Sequence, residues 1–233
     1  MSGCESSGRH KLIVAIDGPS GAGKSSVTKA LADRLGYIHI DTGAMFRTVA
    51  LFVSRLGIDP DDDAALATLC SRLSIEFDSS GGESRVLANG EDVTGDIRTP
   101  EISLLTSRIA AMPSVRTHLL LQQQRMGARG GVVLEGRDIG TVVFPGAEVK
   151  FYLTASAEER GRRRYEELKG KGENVSLQQT IAEVQQRDRQ DLSREIAPLR
   201  RADDAVEIDT TDLTPEAVLS RMEGLVHARE IQE

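Results

Sequence analysis

The stretch "GPSGAGKSS", residues 18–26, constrains this chain more than any other. It follows "KLIVAID" (residues 11–17), a short apolar run suited to a buried parallel strand. It leads into "KSSVTKALADRLG", where Val27, Leu31 and Leu35 share one helical face and Gly36 marks the stop. Gly18-x-x-x-x-Gly23-Lys24-Ser25 is the P-loop pattern in full, with a strand before it and a helix after it. Glycines let backbone N–H groups converge on phosphate oxygens, and the helix N-terminus adds its positive end. Gly18, Pro19, Ser20, Gly21, Ala22, Gly23, Lys24, Ser25 and Ser26 are therefore the expected cradle for a nucleotide's phosphates. Lys24 is expected to reach the transferring phosphoryl group, and the Ser25 hydroxyl to ligate Mg²⁺.

The next segments keep the same rhythm. "YIHID" reads as a strand and "GAMFRTVALFVSRLG" as a helix, giving the β-α-β-α order of a doubly wound sheet. "DPDDDAALATLCSRL" is a helix with an acidic start, as the helix dipole favours. "SIEFDSSGGESRVLANGEDV" holds two β-like runs broken by "SSGG" and by Asn89-Gly90, a small β excursion inserted in the α/β core. Helices follow over residues 100–112 and 113–128, and "GGVVLEG" and "EVKFYLTA" restore the buried-strand pattern. Ser156 opens a helix with Glu159 as its capping-box partner. A polar helix over 176–190, the strand "DAVEIDT" and a helix capped at Thr214-Pro215 complete the chain.

Composition removes several classes. Aromatics are 3% of the 233 residues and Trp is absent, which leaves no stacking platform for single-stranded nucleic acid. A net charge of −7 argues against a surface built for a polyanion. Cys4 and Cys70 form no CxxC pair, and His10, His39, His118 and His227 show no ligand spacing. No run approaches the roughly 18 apolar residues of a membrane span. A soluble protein of the reducing cytoplasm, with residues 1–10 as a disordered tail, is the expectation.

A P-loop serves kinases, ATPases and GTPases alike. The base-reading "NKxD" of GTPases is missing, and Glu135-Gly136-Arg137-Asp138 places an arginine where a motor ATPase polarises water. That favours a small-molecule kinase with an anionic acceptor. Arg160, Arg162, Arg163 and Arg164 crowd one helix start, and Arg187, Arg189 and Arg194 follow in a second region. Glu158, Glu159, Glu166 and Glu167 can neutralise the first group locally. The other reading is a lid of guanidinium groups that closes over phosphates. A phosphate acceptor, with its second pKa near ~6, is already nucleophilic at neutral pH and needs screening rather than a base. An alcohol acceptor would need a carboxylate base, for which Asp41 and Asp138 are the candidates.

Five stretches together carry a resemblance: "IDGPSGAGKS", "DTGAMFR", "GEDVTGDIRT", "EGRDIGTVVFP" and "RDRQDLSREIAPL". In this order, from about Leu12 to the C-terminal helix, the chain resembles the bacterial cytidylate (CMP) kinases of the nucleoside monophosphate kinase family. The resemblance implies a P-loop NTPase-type core with a five-stranded parallel sheet, an inserted acceptor-binding region and a short arginine-rich lid. On this chain that divides residues 11–41, 114–155 and 175–233 as core, 42–113 as the acceptor region with its β insert, and 156–174 as the lid. The implied reaction is ATP + CMP to ADP + CDP, with dCMP a second acceptor, Mg²⁺ bound with the ATP, and a monomer as the working form.

The resemblance also implies roles. Thr42 and Arg47 lie at the acceptor nucleotide, Arg47 on its phosphate with Arg137 and Arg194. Ser107, Arg116 and Asp138 read the cytosine ring, and Arg187 and Asp191 approach the ribose. Lys24, Arg137, Arg160, Arg163 and Arg164 form the catalytic set, and Glu135 contacts the Mg²⁺ shell through water. Phe46 stands where relatives often carry Tyr, Glu135 where they often carry Asp, and Ser25-Ser26 where some carry Gly-Thr.

Overall fold

Strand β1 (Ile13–Asp17) is the middle of a five-stranded sheet because both its faces are apolar. The structure, a computed structural model, describes residues 11–78 and 85–231. The expected tail and the "SSGG" break lie outside the described residues. Val14 and Ile16 pack into a cluster with Val27 and Leu31 of α1 (Lys24–Leu35) and with Val218, Leu219, Met222 and Val226 of α8 (Pro215–Glu230). Ile13 and Ala15, pointing the other way, join a second cluster with Leu134, Ile139 and Val143. Burial on both faces is what an all-parallel sheet requires.

The sheet order is β2 (Ile38–Asp41), β6 (Val132–Gly136), β1, β7 (Val149–Thr154), β8 (Val206–Asp209), every pair parallel. This is the five-stranded parallel core that the resemblance implied. Between β2 and β6 the chain runs through a long excursion. It consists of α2 (Thr42–Leu56), α3 (Asp63–Ser71), a small antiparallel sheet, α4 (Pro100–Ile109) and α5 (Pro113–Gly127), around a core of its own. The small sheet has three strands, not two: β3 (Ile75–Asp78), β4 (Arg85–Ala88) and the two-residue β5 (Glu91–Asp92). Asn89-Gly90 makes the β4–β5 turn with both residues at positive φ, as that pair favours.

Two further departures matter for the site. Residues Ile139–Val143 form a π turn directly after β6, a feature with no sequence signature. The helix expected over 176–190 runs Leu177–Leu192 as α7, so Arg194 lies beyond its end rather than on its face. Helix α6 (Ala157–Gly170) packs along α7. The Ser156 hydroxyl accepts the Glu159 N–H at 3.2 Å, so the N-cap is present, but the reciprocal half of the expected capping box is not: the Ser156 N–H donates to Thr211, and the Glu159 carboxylate accepts from Arg162 and Arg163.

Candidate active site

The parallel order places the carboxyl ends of β1, β2 and β6 side by side, with Asp17 opposite Gly136 and Asp41 opposite Glu135. Open α/β sheets bind ligands beyond these ends. The donor loop turns here. Gly18 has φ +145, and a Cβ at that position would stand 1.9 Å from the Leu153 carbonyl oxygen, so only glycine lets the loop pass β7 so closely. Helix α1 starts after Gly23 with no side-chain cap, which leaves its first amides for a ligand. Lys24 is buried and folded back on the loop, its Nζ donating to the carbonyls of Gly18 and Pro19 at 2.7 and 2.6 Å. Burial, and then repulsion from Arg137, push its pKa well below the ordinary lysine value.

Ser25 and Ser26 are exposed at the start of α1. The Ser25 hydroxyl donates to Glu135 Oε2 at 2.8 Å, and Glu135 Oε1 lies 3.0 Å from His39 Nε2. Sequence reasoning missed His39. The signal is the register: it pairs with Val133 while Asp41 pairs with Glu135, but only once β2 is known to lie beside β6. Thr42 begins α2 and donates its hydroxyl to the Glu135 carbonyl at 2.7 Å.

Arginines converge on the other side of the β6 end. Arg47 donates to Asp41 Oδ2 at 2.7 Å, while Asp41 Oδ1 accepts the Ala44 N–H and caps α2. Burial pushes the Asp41 carboxyl up, but Arg47, the Ala44 N–H and His39 outweigh it and hold it below the ordinary range. Asp191 is buried and accepts from Arg137 Nε at 2.9 Å and pairs with Arg194 at 2.7 Å. Arg187, Asp191 and Arg194 therefore form a half-buried charged cluster around the buried Asp191, not a solvated helix face. Burial raises the Asp191 carboxyl, and Arg137 and Arg194 pull it back below its usual value. Arg187 is pushed down to about 10 by burial and by Arg137, Arg47 and Arg194, with Asp191 opposing. The Nε atoms of Arg47 and Arg187 are buried and have no hydrogen-bond partner.

Beside this cluster opens a cavity of about 410 Å³, lined in part by Phe46, Arg116, Asp138, Val142 and Ile196. Arg116 and Asp138 form an ion pair at its wall, and the Arg116 guanidinium lies 5.6 Å from the Phe46 ring centroid. Burial raises the Asp138 carboxyl above its ordinary value, with Arg116, Arg194 and Arg137 opposing. Ser107, on α4, is not among the residues lining this cavity. Ile196 and Ala197, within the "RDRQDLSREIAPL" stretch, are.

The arginine-rich helix α6 is tied to the donor loop. Arg160 is buried, forks onto Asp188 of α7 at 2.9 and 2.6 Å, and donates to the Ser20 carbonyl at 3.1 Å. Arg163 donates to the Thr210 hydroxyl and carbonyl and to Glu159. Arg162 pairs with Glu159 and Arg164 with Glu167, the local neutralisation that the spacing allowed.

A family model described as cytidylate kinase matches residues 14–228. The chain belongs to the cytidylate kinase family. It is 68% identical over 223 residues to a cytidylate kinase of Geobacter sulfurreducens, covering 96% of each chain. It is 44% identical to a cytidylate kinase of Pasteurella multocida, covering 91% of this chain and 93% of that one. Among solved structures, an uncharacterized protein from Eubacterium ventriosum aligns over 94% of this chain and 99% of its own. Its TM-score is 0.52 and its identity 11%, a likeness of fold alone. The cytidylate kinase family match spans the donor loop, the arginine cluster and the cavity alike. Among the described residues no helix is long and apolar enough to cross a membrane.

Proposed function

We propose that this chain transfers the γ-phosphoryl group of MgATP to CMP, giving ADP and CDP, with dCMP as a second acceptor. The observation that carries the reading is the partly buried arginine cluster around Asp191 and Asp41. Arg47, Arg137, Arg187 and Arg194, with Arg116 beside them, face Asp41, Asp191 and Asp138 as counter-charges, and five guanidinium groups against three carboxylates leave two positive charges in surplus. Two buried Nε donors there also lack partners. A dianionic phosphate supplies both the charge and the acceptors. The Asp41 carboxylate is committed to Arg47 and the α2 cap, which weakens the alcohol-kinase alternative that needs it as a base.

In this reading the acceptor phosphate rests on Arg47, Arg137 and Arg194, with Arg187 and Asp191 at the ribose and Thr42 alongside. The pyrimidine enters the cavity, where Asp138 accepts from the cytosine amino group and Arg116 donates to its ring acceptors. Lys24 leaves the Gly18 and Pro19 carbonyls for the γ-phosphoryl oxygens. Arg137, Arg160, Arg163 and Arg164 spread the developing charge as residues 156–174 close and exclude water. No protein base is required, because the acceptor oxygen is already ionised. The enzyme works as a cytoplasmic monomer, without nucleic acid or membrane.

Mg²⁺ fits the residues present. Among the described residues no cluster of three or more His, Cys, Asp or Glu is placed to hold a metal. The pair of hard oxygens from Ser25 and Glu135 suits an ion that arrives with its phosphates. Ser25, and Glu135 through water, would hold it; bound there, Mg²⁺ neutralises charge on the donor phosphates.

The test is ADP release from MgATP with CMP, dCMP, UMP and AMP supplied separately. Turnover with CMP and dCMP, weak with UMP and absent with AMP, is expected. Turnover with none of the four would overturn the acceptor assignment and leave the donor loop standing.

A further inference from the structure

The turn that carries Arg137 and Asp138 into the site is held by a residue that the reading above leaves without a role. After β6 the chain bends at Asp138 (φ −144, ψ 22) into the π turn of residues 139–143. Inside it, Val142 and Val143 donate to the Asp138 carbonyl and Phe144 to that of Ile139. The first N–H groups of such a turn have no partner within it. Here those of Ile139 and Gly140 donate to Oδ1 and Oδ2 of Asp17, at 2.8 and 2.7 Å. Asp17 is the final residue of β1, next to Gly136 in the sheet register. One carboxylate therefore caps the turn from another strand, across more than 120 positions of sequence.

We propose that Asp17 is a positioning residue: its two oxygens hold the Ile139 and Gly140 amides, and so set where Arg137 and Asp138 stand toward the acceptor. This rests on the CMP reading above and adds a determinant of acceptor affinity and base preference. Only a carboxylate offers two acceptors to two donors in so small a space; an amide offers one and sets an N–H against the second donor. The arrangement is costly, because a carboxylate with 4% exposure gives up its hydration. Burial pushes Asp17 up to about 6, and only the two amides and Lys24 hold it back, with Asp138 adding repulsion. Arg137 and Asp138 each use their own side chains on other partners, Asp191 and Arg116. A shift of the turn therefore displaces the phosphate ligand and the base reader together.

Asp17→Asn and Asp17→Ser test the assignment by steady-state kinetics, with thermal melting and far-UV circular dichroism as fold controls. With a loosened turn, the KM for CMP is expected to rise about tenfold and the CMP-over-UMP preference to fall, while the KM for MgATP moves less than about threefold. Wild-type turnover with CMP, measured beside it, checks the underlying reading separately. If the wild type uses CMP and the folded variants keep its CMP KM and selectivity, the positioning role is wrong. A purely structural role lowers the melting temperature alone, which also overturns it. If neither variant folds, amide exchange in the wild type decides. Ile139 and Gly140 protons exchanging as fast as open-loop amides remove the clamp, and protection on both supports it.

Discussion

At the residue scale, Asp138 is the position where chemistry and geometry can be separated most cleanly. It lines the cavity, it is buried, and Arg116 is its ion-pair partner. Cytosine presents an amino donor beside two acceptors, whereas uracil presents O4 and an N3–H, so a carboxylate there meets the wrong partner. Asp138→Asn keeps the shape and turns half the acceptor into a donor. The expected result is a loss of roughly tenfold to a hundredfold in kcat/KM for CMP, with UMP use unchanged or improved. Equal losses on both acceptors would remove Asp138 from base reading and leave it as a support for Arg116. The residues alone marked Asp138 as a candidate carboxylate at the end of a buried strand; its role in reading the base was legible only through the resemblance. Asp17 was not legible as a clamp at all. Its partners are backbone amides of a distant segment, and no side-chain pattern announces them.

At the element scale, the helices were legible wherever a local signal sets their ends. Ser156 and Thr214 cap α6 and α8 as their sequence context implied. Strand β5 was missed because two residues carry no periodicity, and the π turn because the amides that open it are held by Asp17 at the end of β1. The pairing of α6 with α7 was likewise hidden, since both are polar helices. Beside the Arg160–Asp188 ion pair, it involves close approach at Gly161, where a Cβ would lie 2.4 Å from Ile181 Cγ1 and 2.8 Å from Ile181 Cα. A backbone atom cannot step aside by changing rotamer. Gly161→Ala is therefore expected to cost ~1–3 kcal/mol and lower the melting temperature by about 2–10 °C. Gly170→Ala, in the same helix with nothing within 4 Å of its added Cβ, is the control and should be neutral or slightly stabilising. Equal melting temperatures for the two variants would mean that α6 and α7 are not held by that contact.

At the scale of the whole molecule, a site that concentrates buried charge leaves its mark on stability before any substrate binds. Asp41 and Asp191 are held below the ordinary carboxylate range in the fold. They stabilise it above their unfolded pKa, and that contribution is lost as pH falls through their folded values. Asp17 works in the opposite sense. Its folded pKa, raised from 3.8 to about 6, means that the native state takes up a proton between those values and the unfolded chain does not. Stability from this group therefore falls as pH rises from 3.8 toward 6, by ~3 kcal/mol in all, and is flat above that. Subtracting the unfolding free energy of Asp17→Asn from that of the wild type cancels what both share, Asp41 and Asp191 included. The lost hydrogen bond leaves a constant offset in that difference, and ionisation of Asp17 leaves a slope. Denaturant unfolding without nucleotide should show the wild type gaining about 1 kcal/mol on the variant between pH 7 and pH 5. A difference that stays constant across that interval would mean that Asp17 is ionised throughout and that the desolvation cost of the clamp is met elsewhere in the fold.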